Sequence, residues 1–234
     1  FRRVLFRSGV IFANSPHWMA GTPILDEPGI PRVELSAAAV KPWPVLQFNT
    51  RWIEQALARV AERGLRRVAL VMNAFGKDGH RLDGLLARFN LECPAHWRQA
   101  AFWQDPQAAS HCVQMLLRGR PEERPQALLV LDDNLVEGVQ AGLIALGRRV
   151  PADVTVIAHA NFPLPATSVM PFELLGPDLR DVLARAVQLI DQQRRGEVAT
   201  VVEELAAVWG ESVKTAAVAG RPAGPQLSGK QSVQ

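Results

Sequence analysis

Between residues 124 and 161 the chain runs through a short apolar stretch, a polar turn, a helical repeat and a second apolar stretch. Ala127 to Leu131 is uninterrupted apolar sequence that stops at Asp132-Asp133-Asn134, residue types that cap helix N-termini. Leu135, Val139, Leu143 and Leu146 then recur at helical spacing, Gly147 closes the repeat, and residues 154–158 form the next apolar run. Strand, crossover helix and strand predict a βαβ unit in a parallel sheet covered on both faces. Ligands on such sheets sit beyond the carboxyl ends of the strands, which here means Asp132, Asp133 and the segment His159-Ala160-Asn161.

The same periodicities organise the rest. Residues 9–14 predict a strand ending in small polar residues, followed by a Pro/Gly-rich loop to Gly29 and a second strand over 30–35. Asn49 is placed to cap a helix over 51–62 whose inner face is Trp52, Ile53, Ala56, Leu57 and Val60. A strand over 67–72, a helix over 82–89, a short strand over 99–103 and a helix over 108–117 with Met115, Leu116 and Leu117 buried come next. Residues 118–125 read as a surface link and 179–192 as a periodic helix. These elements group as a partial N-terminal lobe (9–64), a C-terminal lobe (65–162) and crossover and closing elements (163–213). Beyond Val213, small and polar residues predict a loose tail over 214–234.

A chain of 234 residues accommodates one large α/β domain or two lobes, and 48% hydrophobic residues suffice for a core. No apolar run reaches the ~20 residues a membrane helix needs, and no secretory pattern opens the sequence. Cys93 and Cys112 are too few for a zinc site or a disulfide framework and are expected to be reduced. The net charge of +3 is accounted for by Arg2, Arg3 and Arg7, so an electrostatic nucleic-acid footprint is not expected. Residues 1–8 carry no fold logic and are read as a sequence scar. His17, His80, His96 and His111 lack metal-ligand spacing. Gly76-Lys77-Asp78-Gly79 lacks the order of a phosphate loop, and no dinucleotide fingerprint, nucleophile elbow or zincin motif is present. Asp132 and Asp133 are adjacent and diverge, unlike an acid–base couple. The sequence therefore predicts neither enzyme nor cofactor.

An ordered set of motifs goes further. Leu146-Gly147, Val150-Pro151, Asp153-Val154 and Val156-Ile157 spell L-G-x-x-V-P-x-D-V-x-V-I, preceded by Asp132-Asp133 and Gly138. Upstream stand residues 62–69 (ERGLRRVA), then Arg81 and Gly84; downstream stand Ala166-Thr167-Ser168-Val169, Pro171, Gly176 and finally Glu211-Ser212. In this order, over roughly residues 9 to 213, they resemble the core of the lactose/galactose-repressor (LacI/GalR) family of transcriptional regulators. The resemblance implies a two-lobed, periplasmic-binding-protein-like α/β fold with parallel sheets flanked by helices. The first lobe is expected to be incomplete, leaving apolar sheet edges exposed. It further implies a cytoplasmic homodimer sensing a small, sugar-like effector in the cleft between lobes. Operator DNA would be reached only through a missing N-terminal helix-turn-helix. A periplasmic solute-binding protein of a transport system is the alternative within the same fold.

The resemblance also nominates residues. Arg81 matches the family's ligand-contacting arginine, and its five-donor fork suits vicinal hydroxyls or a carboxylate; otherwise it closes a helix turn at the surface. Asp132 stands where the family often has a ligand-facing Asn and could accept two hydroxyl protons, or is otherwise a plain helix cap; Asp133 matches the family's Asp and is the expected cap. Phe102 and Trp103 fall near the position of a stacking aromatic, so Trp103 is the candidate to cover a sugar face, against the commoner use of Trp in a core. Asn14 and Ser36 end strands of the first lobe in effector-contacting regions. The family's "G-F-D-D" reads Ala158-His159-Ala160-Asn161 here, so the carboxylate is gone from position 160 and His159 and Asn161 remain as polar candidates. That departure implies an effector other than a typical pyranose, or a response to a partner.

Overall fold

Two sheets carry the molecule, and the chain passes back and forth between them. The computed structural model describes residues 9–36, 42–47, 51–73, 79–105, 107–197 and 202–212, with the side chains of 79–81 not among them. The scar reading of residues 1–8, the cap at Asn49, Gly76-Lys77-Asp78, the side chain of Arg81 and the tail over 214–234 therefore lie outside the described residues.

The smaller sheet is all-parallel and holds β1 (Val10–Phe12), β2 (Arg32–Leu35), β3 (Val45–Gln47) and β9 (Val202–Glu204), in the order β1-β2-β3-β9. The larger holds β4 (Val68–Asn73), β5 (Arg98–Ala101), β6 (Ala127–Val130), β7 (Thr155–His159), β8 (Glu173–Gly176) and β10 (Val208–Trp209), in the order β10-β8-β7-β6-β4-β5. All its pairs are parallel except β10 with β8. The architecture is α/β, with helices α1 (Pro23–Asp26), α2 (Trp52–Glu62), α3 (Gly79–Arg88), α4 (Ala108–Leu116), α5 (Val136–Ala145) and α6 (Leu179–Arg194).

Burial follows from parallel pairing. Strands covered on both faces cannot alternate polar and apolar residues, and β6 and β7 are buried at every position. The larger core combines these strands with α2, which inserts Trp52, Ala56, Leu57 and Val60 at helical spacing. By position in the chain α2 grouped with the first lobe, yet its buried face belongs to this larger core. The smaller core sets Val33, Leu35 and Leu46 against Val182, Ala186, Leu189 and Ile190 of α6. That helix starts at Asp178, whose side chain accepts from Arg180 N at 3.0 Å. β1 stands at the edge of the smaller sheet with Ile11 36% exposed.

Three connections link the sheets: β3 to α2, β8 to α6, and β9 to β10. The first and the third meet where Leu205 N donates to Gln47 O at 2.7 Å; the second is fastened instead to the segment between β7 and β8, where Leu179 N donates to Phe162 O at 2.8 Å. Glu173 on β8 is gripped by Arg63 and, at 3.1 Å, by Arg59, whose guanidinium also lies 3.8 Å over the Trp209 ring. Gly176, just before the second connection, admits nothing larger, because a Cβ there would stand 1.8 Å from Ala160 O.

Two expectations shift on inspection. α4 buries Ala109, Cys112, Val113 and Leu116, and this stripe leaves Met115 on the outer face, 59% exposed. The short strand starts at Arg98 and ends at Ala101, so Phe102 and Trp103 lie past its carboxyl end, 51% and 50% exposed. Pairing with β4 fixes that limit, since the register ends at Asn73 opposite Ala101.

Helices α4 and α5 approach closely through Gly142, where a Cβ would meet Ser110 O at 2.7 Å and Val113 Cβ at 2.9 Å. Alanine gains about 1 kcal/mol of helix propensity over glycine, but overpacking against backbone costs about 1–3 kcal/mol. Gly142→Ala is therefore expected to lower the urea midpoint; an unchanged or raised midpoint would show that the two helices can separate freely.

Candidate functional site

The order β7-β6-β4-β5 places four strand ends in a row at the carboxyl edge of the larger sheet. From one side to the other stand His159 and Asn161, then Asp132 and Asp133, then Asn73, then Phe102 and Trp103. Asp132 sits there for a local reason: β6 must release its chain into a helix start, whose exposed N–H groups need an acceptor. Asn73 and Asn161 instead donate to the aspartates across the strand ends.

Asp132 is the hub. One carboxylate oxygen accepts from Asn134 N at 3.0 Å and from Asn134 Nδ2 at 2.8 Å, which caps the 3-10 turn Asp133–Leu135 that leads into α5. The other accepts from Asn73 Nδ2 at 3.0 Å, tying the end of β6 to the end of β4. Asp133 accepts from Asn161 Nδ2 at 2.7 Å, tying β6 to the segment after β7. The cap expected at Asp133 is therefore Asp132, as its alternative reading had it; both aspartates also accept across strand ends, Asp132 from Asn73 and Asp133 from Asn161. The reason is backbone geometry, since Asp132 is still extended (φ −143°, ψ 127°), as an N-cap must be.

His159 ends β7 with 5% exposure, its ring centroid 5.3 Å from that of Trp52 at a tilt of 59°. Burial pushes the imidazole below its ordinary value, against the opposing pull of Asp133 and Asp132. Neutral imidazole offers one donor and one acceptor. Asn73 Oδ1 is buried and accepts no hydrogen bond among the described residues, an acceptor held ready at the same edge.

The candidates of the smaller sheet occupy the matching edge of that sheet. Asn14 follows β1, where its Oδ1 accepts from Ser15 N at 2.8 Å. Ser36 follows β2 and donates from Oγ to Glu34 at 2.6 Å. Glu34 is fully buried and also accepts from Trp43 Nε1 at 3.1 Å. Asp132 and Asn161 are therefore brought together in one network, Trp103 stands on the same edge, Asn14 and Ser36 belong to the other sheet, and Arg81 contributes only its place in α3. Three residues went unnoticed in the sequence as site members: Asn73, Glu34 and Trp52. Asn73 carried a usable signal, a lone amide at the end of an apolar strand.

Among the described residues no helix is long and apolar enough to cross a membrane, and no three His, Cys, Asp or Glu side chains group as metal ligands.

A family model described as a periplasmic binding protein-like domain matches residues 57–213. The chain belongs to that family. Solved structures share its fold. A regulatory protein of the LacI family from Chloroflexus aggregans has a TM-score of 0.70 at 18% identity, over 86% of this chain and 74% of that one. A LacI family transcriptional regulator from Arthrobacter sp. FB24, in complex with lactose, has a TM-score of 0.70 at 21% identity, over 86% and 76%. A third, from Enterococcus faecalis V583 with bound ribose, has a TM-score of 0.65 at 15% identity, over 86% and 75%. No curated protein matches the chain. Within this periplasmic binding protein-like domain, the candidate site occupies the strand ends where parallel sheets commonly hold ligands.

The buried imidazole makes stability depend on pH. His159 is held neutral in the fold, whereas an unfolded histidine takes up a proton below its ordinary value of 6.5. Its contribution is therefore complete above 6.5 and is lost as pH falls below that value. Between about pH 7 and pH 5.5, above the range where carboxylates titrate, the denaturation midpoint is expected to fall in the wild type and to stay flatter in His159→Phe. Parallel pH profiles would remove His159 from this role.

Proposed function

We propose that the chain is the effector-sensing domain of a LacI-type transcriptional regulator. In this reading a small polyhydroxy molecule occupies the space between the carboxyl edges of the two sheets. The observation that carries it is the hydrogen-bonded row Asn161–Asp133 and Asn134–Asp132–Asn73, ending in a buried acceptor on Asn73 that has no partner among the described residues. Such a row is rigid, rich in acceptors and set on strand ends, which is what recognition of hydroxyl groups requires. Asp132 and Asn161 would take hydroxyl protons, Trp103 would cover an apolar sugar face, and Arg81 would donate its fork from the start of α3. Asn14 and Ser36 would close on the ligand from the smaller sheet. The ligands named for the structurally similar regulators, ribose and lactose, support a saccharide as the effector class.

The rest of the reading follows from the same assignment. The domain acts as a homodimer, in the cytoplasm, and reaches operator DNA through a separate helix-turn-helix. Effector closure of the lobes would shift the spacing of the paired DNA-binding units, a population shift between two arrangements.

Calorimetric titration with a panel of sugars headed by D-ribose and lactose tests the proposal. Saturable binding to the wild type is expected. Asp132→Ala is expected to weaken it by about tenfold or more, the loss that follows from deleting a hydrogen bond to a charged group. Trp103→Ala should weaken it by about threefold to tenfold, with little change in melting temperature because the ring is half exposed. Arg81→Ala should abolish the response while the protein remains folded. Failure of the whole panel to bind, or wild-type affinity in all three variants, would overturn the assignment.

A further inference from the structure

The opposite, amino-terminal edge of the larger sheet holds a second feature, independent of the cleft. There the loops before β4, β6 and β7 line an open cavity of about 420 Å³. Each loop contributes one arginine to its lining: Arg67, Arg124 and Arg148. Their hydrogen bonds go to neutral carbonyls. Arg67 Nε donates to Arg124 O at 2.8 Å, Arg124 Nε to Gly119 O at 2.7 Å, and Arg148 Nη2 to Leu117 O at 3.3 Å. Among the described residues, none of the three pairs with a carboxylate. Arg148 Nε is buried and donates to nothing there.

Asp153 is the one acidic residue in the lining, and it is already committed. Arg149 donates to it from N at 2.8 Å, from Nη2 at 3.1 Å and from Nε at 3.2 Å. These contacts, with a smaller pull from the Arg148 charge, hold its carboxyl down at about 2. Three guanidinium groups thus line one cavity whose acidic residue is bonded to a fourth, with only a lesser through-space pull from Arg148.

The loops are also fastened to one another before any ligand arrives. Gln126 Oε1 accepts from Arg66 N at 2.8 Å and from Arg67 N at 3.1 Å, locking the approach to β4 against the approach to β6. A half-buried cation without an anion is costly to keep, and planar guanidinium forks match phosphoryl oxygens two at a time. Three cations against one carboxylate that is already bonded to Arg149 leave the lining net positive, which the charge of a phosphate monoester near neutral pH would offset. The volume suits a small molecule.

We propose that this cavity is a binding site for a small organic phosphate, its phosphoryl group held by Arg67, Arg124 and Arg148. The site lies across the sheet from the cleft, so its occupation and the sugar-binding reading stand or fall separately.

Titration of the full chain with glycerol 3-phosphate at constant ionic strength tests it, with glycerol and inorganic phosphate as comparison probes. Saturable binding is expected, weakened by about tenfold or more in Arg148→Gln and in Arg124→Gln, and unchanged in Arg120→Gln, an exposed arginine outside the cavity lining. The second cavity variant keeps the test decisive should one of the two fail to fold. Absence of saturable binding, or wild-type affinity in the folded cavity variants, would overturn the site. Glycerol binding as tightly as its phosphate would show that no anion is read. Inorganic phosphate binding equally tightly would overturn the assignment to an organic ligand.

Discussion

Parallel pairing of buried strands is the constraint from which the rest follows. In the larger sheet, Val71 pairs with Val130 and Val130 with Ala158, so the strands end nearly level with one another. Every chain that leaves this edge must turn into a crossover connection, and the turn needs polar side chains to satisfy its backbone. The fold thereby gathers Asp132, Asp133, Asn73, His159 and Asn161 along one line, with His159 the buried member against Trp52. The same constraint loads the opposite edge with the loops that carry Arg67, Arg124 and Arg148.

The polar row serves two ends at once. Asp132 stabilises the entrance to α5 and also fixes the side chain of Asn73. A ligand that competes for these groups meets partners that are already oriented, which lowers the ordering cost of binding. His159 contributes differently: pressed against Trp52, at the first connection between the sheets, it places a neutral ring where the two sheets' connecting chain begins. The connections, two of them tied by Leu205 to Gln47 and one held by Leu179 to Phe162 just past the end of β7, are where a change at the strand ends would be felt by both sheets.

Much of this was legible in the sequence, and the exceptions have physical reasons. The βαβ unit of residues 124–161 could be read directly, because apolar runs, caps and the helical repeat all agree there. The outer face of α4 was misassigned at Met115, since an apolar run such as Met115-Leu116-Leu117 hides the stripe that packing selects. β5 carries Arg98, Gln99, Ala100 and Ala101, with no apolar signature, and only its ladder with β4 defines its limits. That Asp132 and not Asp133 is the cap turns on one backbone conformation, which two adjacent capping residues do not reveal in the sequence. The membership of α2 in the larger core is a matter of tertiary packing, and amphipathic spacing alone shows a buried face without saying which sheet covers it. The family resemblance supplied the residues of the smaller sheet, Asn14 and Ser36; the buried pairing of Glu34 with Ser36 and Trp43 emerged only from the structure.

The central claim is that one small molecule bridges the carboxyl edges of both sheets. Amide hydrogen exchange, with and without saturating D-ribose or lactose, tests it most directly. The account predicts simultaneous protection of the strand ends around residues 131–135 and 158–162 in the larger sheet and around 12–15 and 34–36 in the smaller. Protection confined to a single sheet, or absent with both sugars, would contradict it.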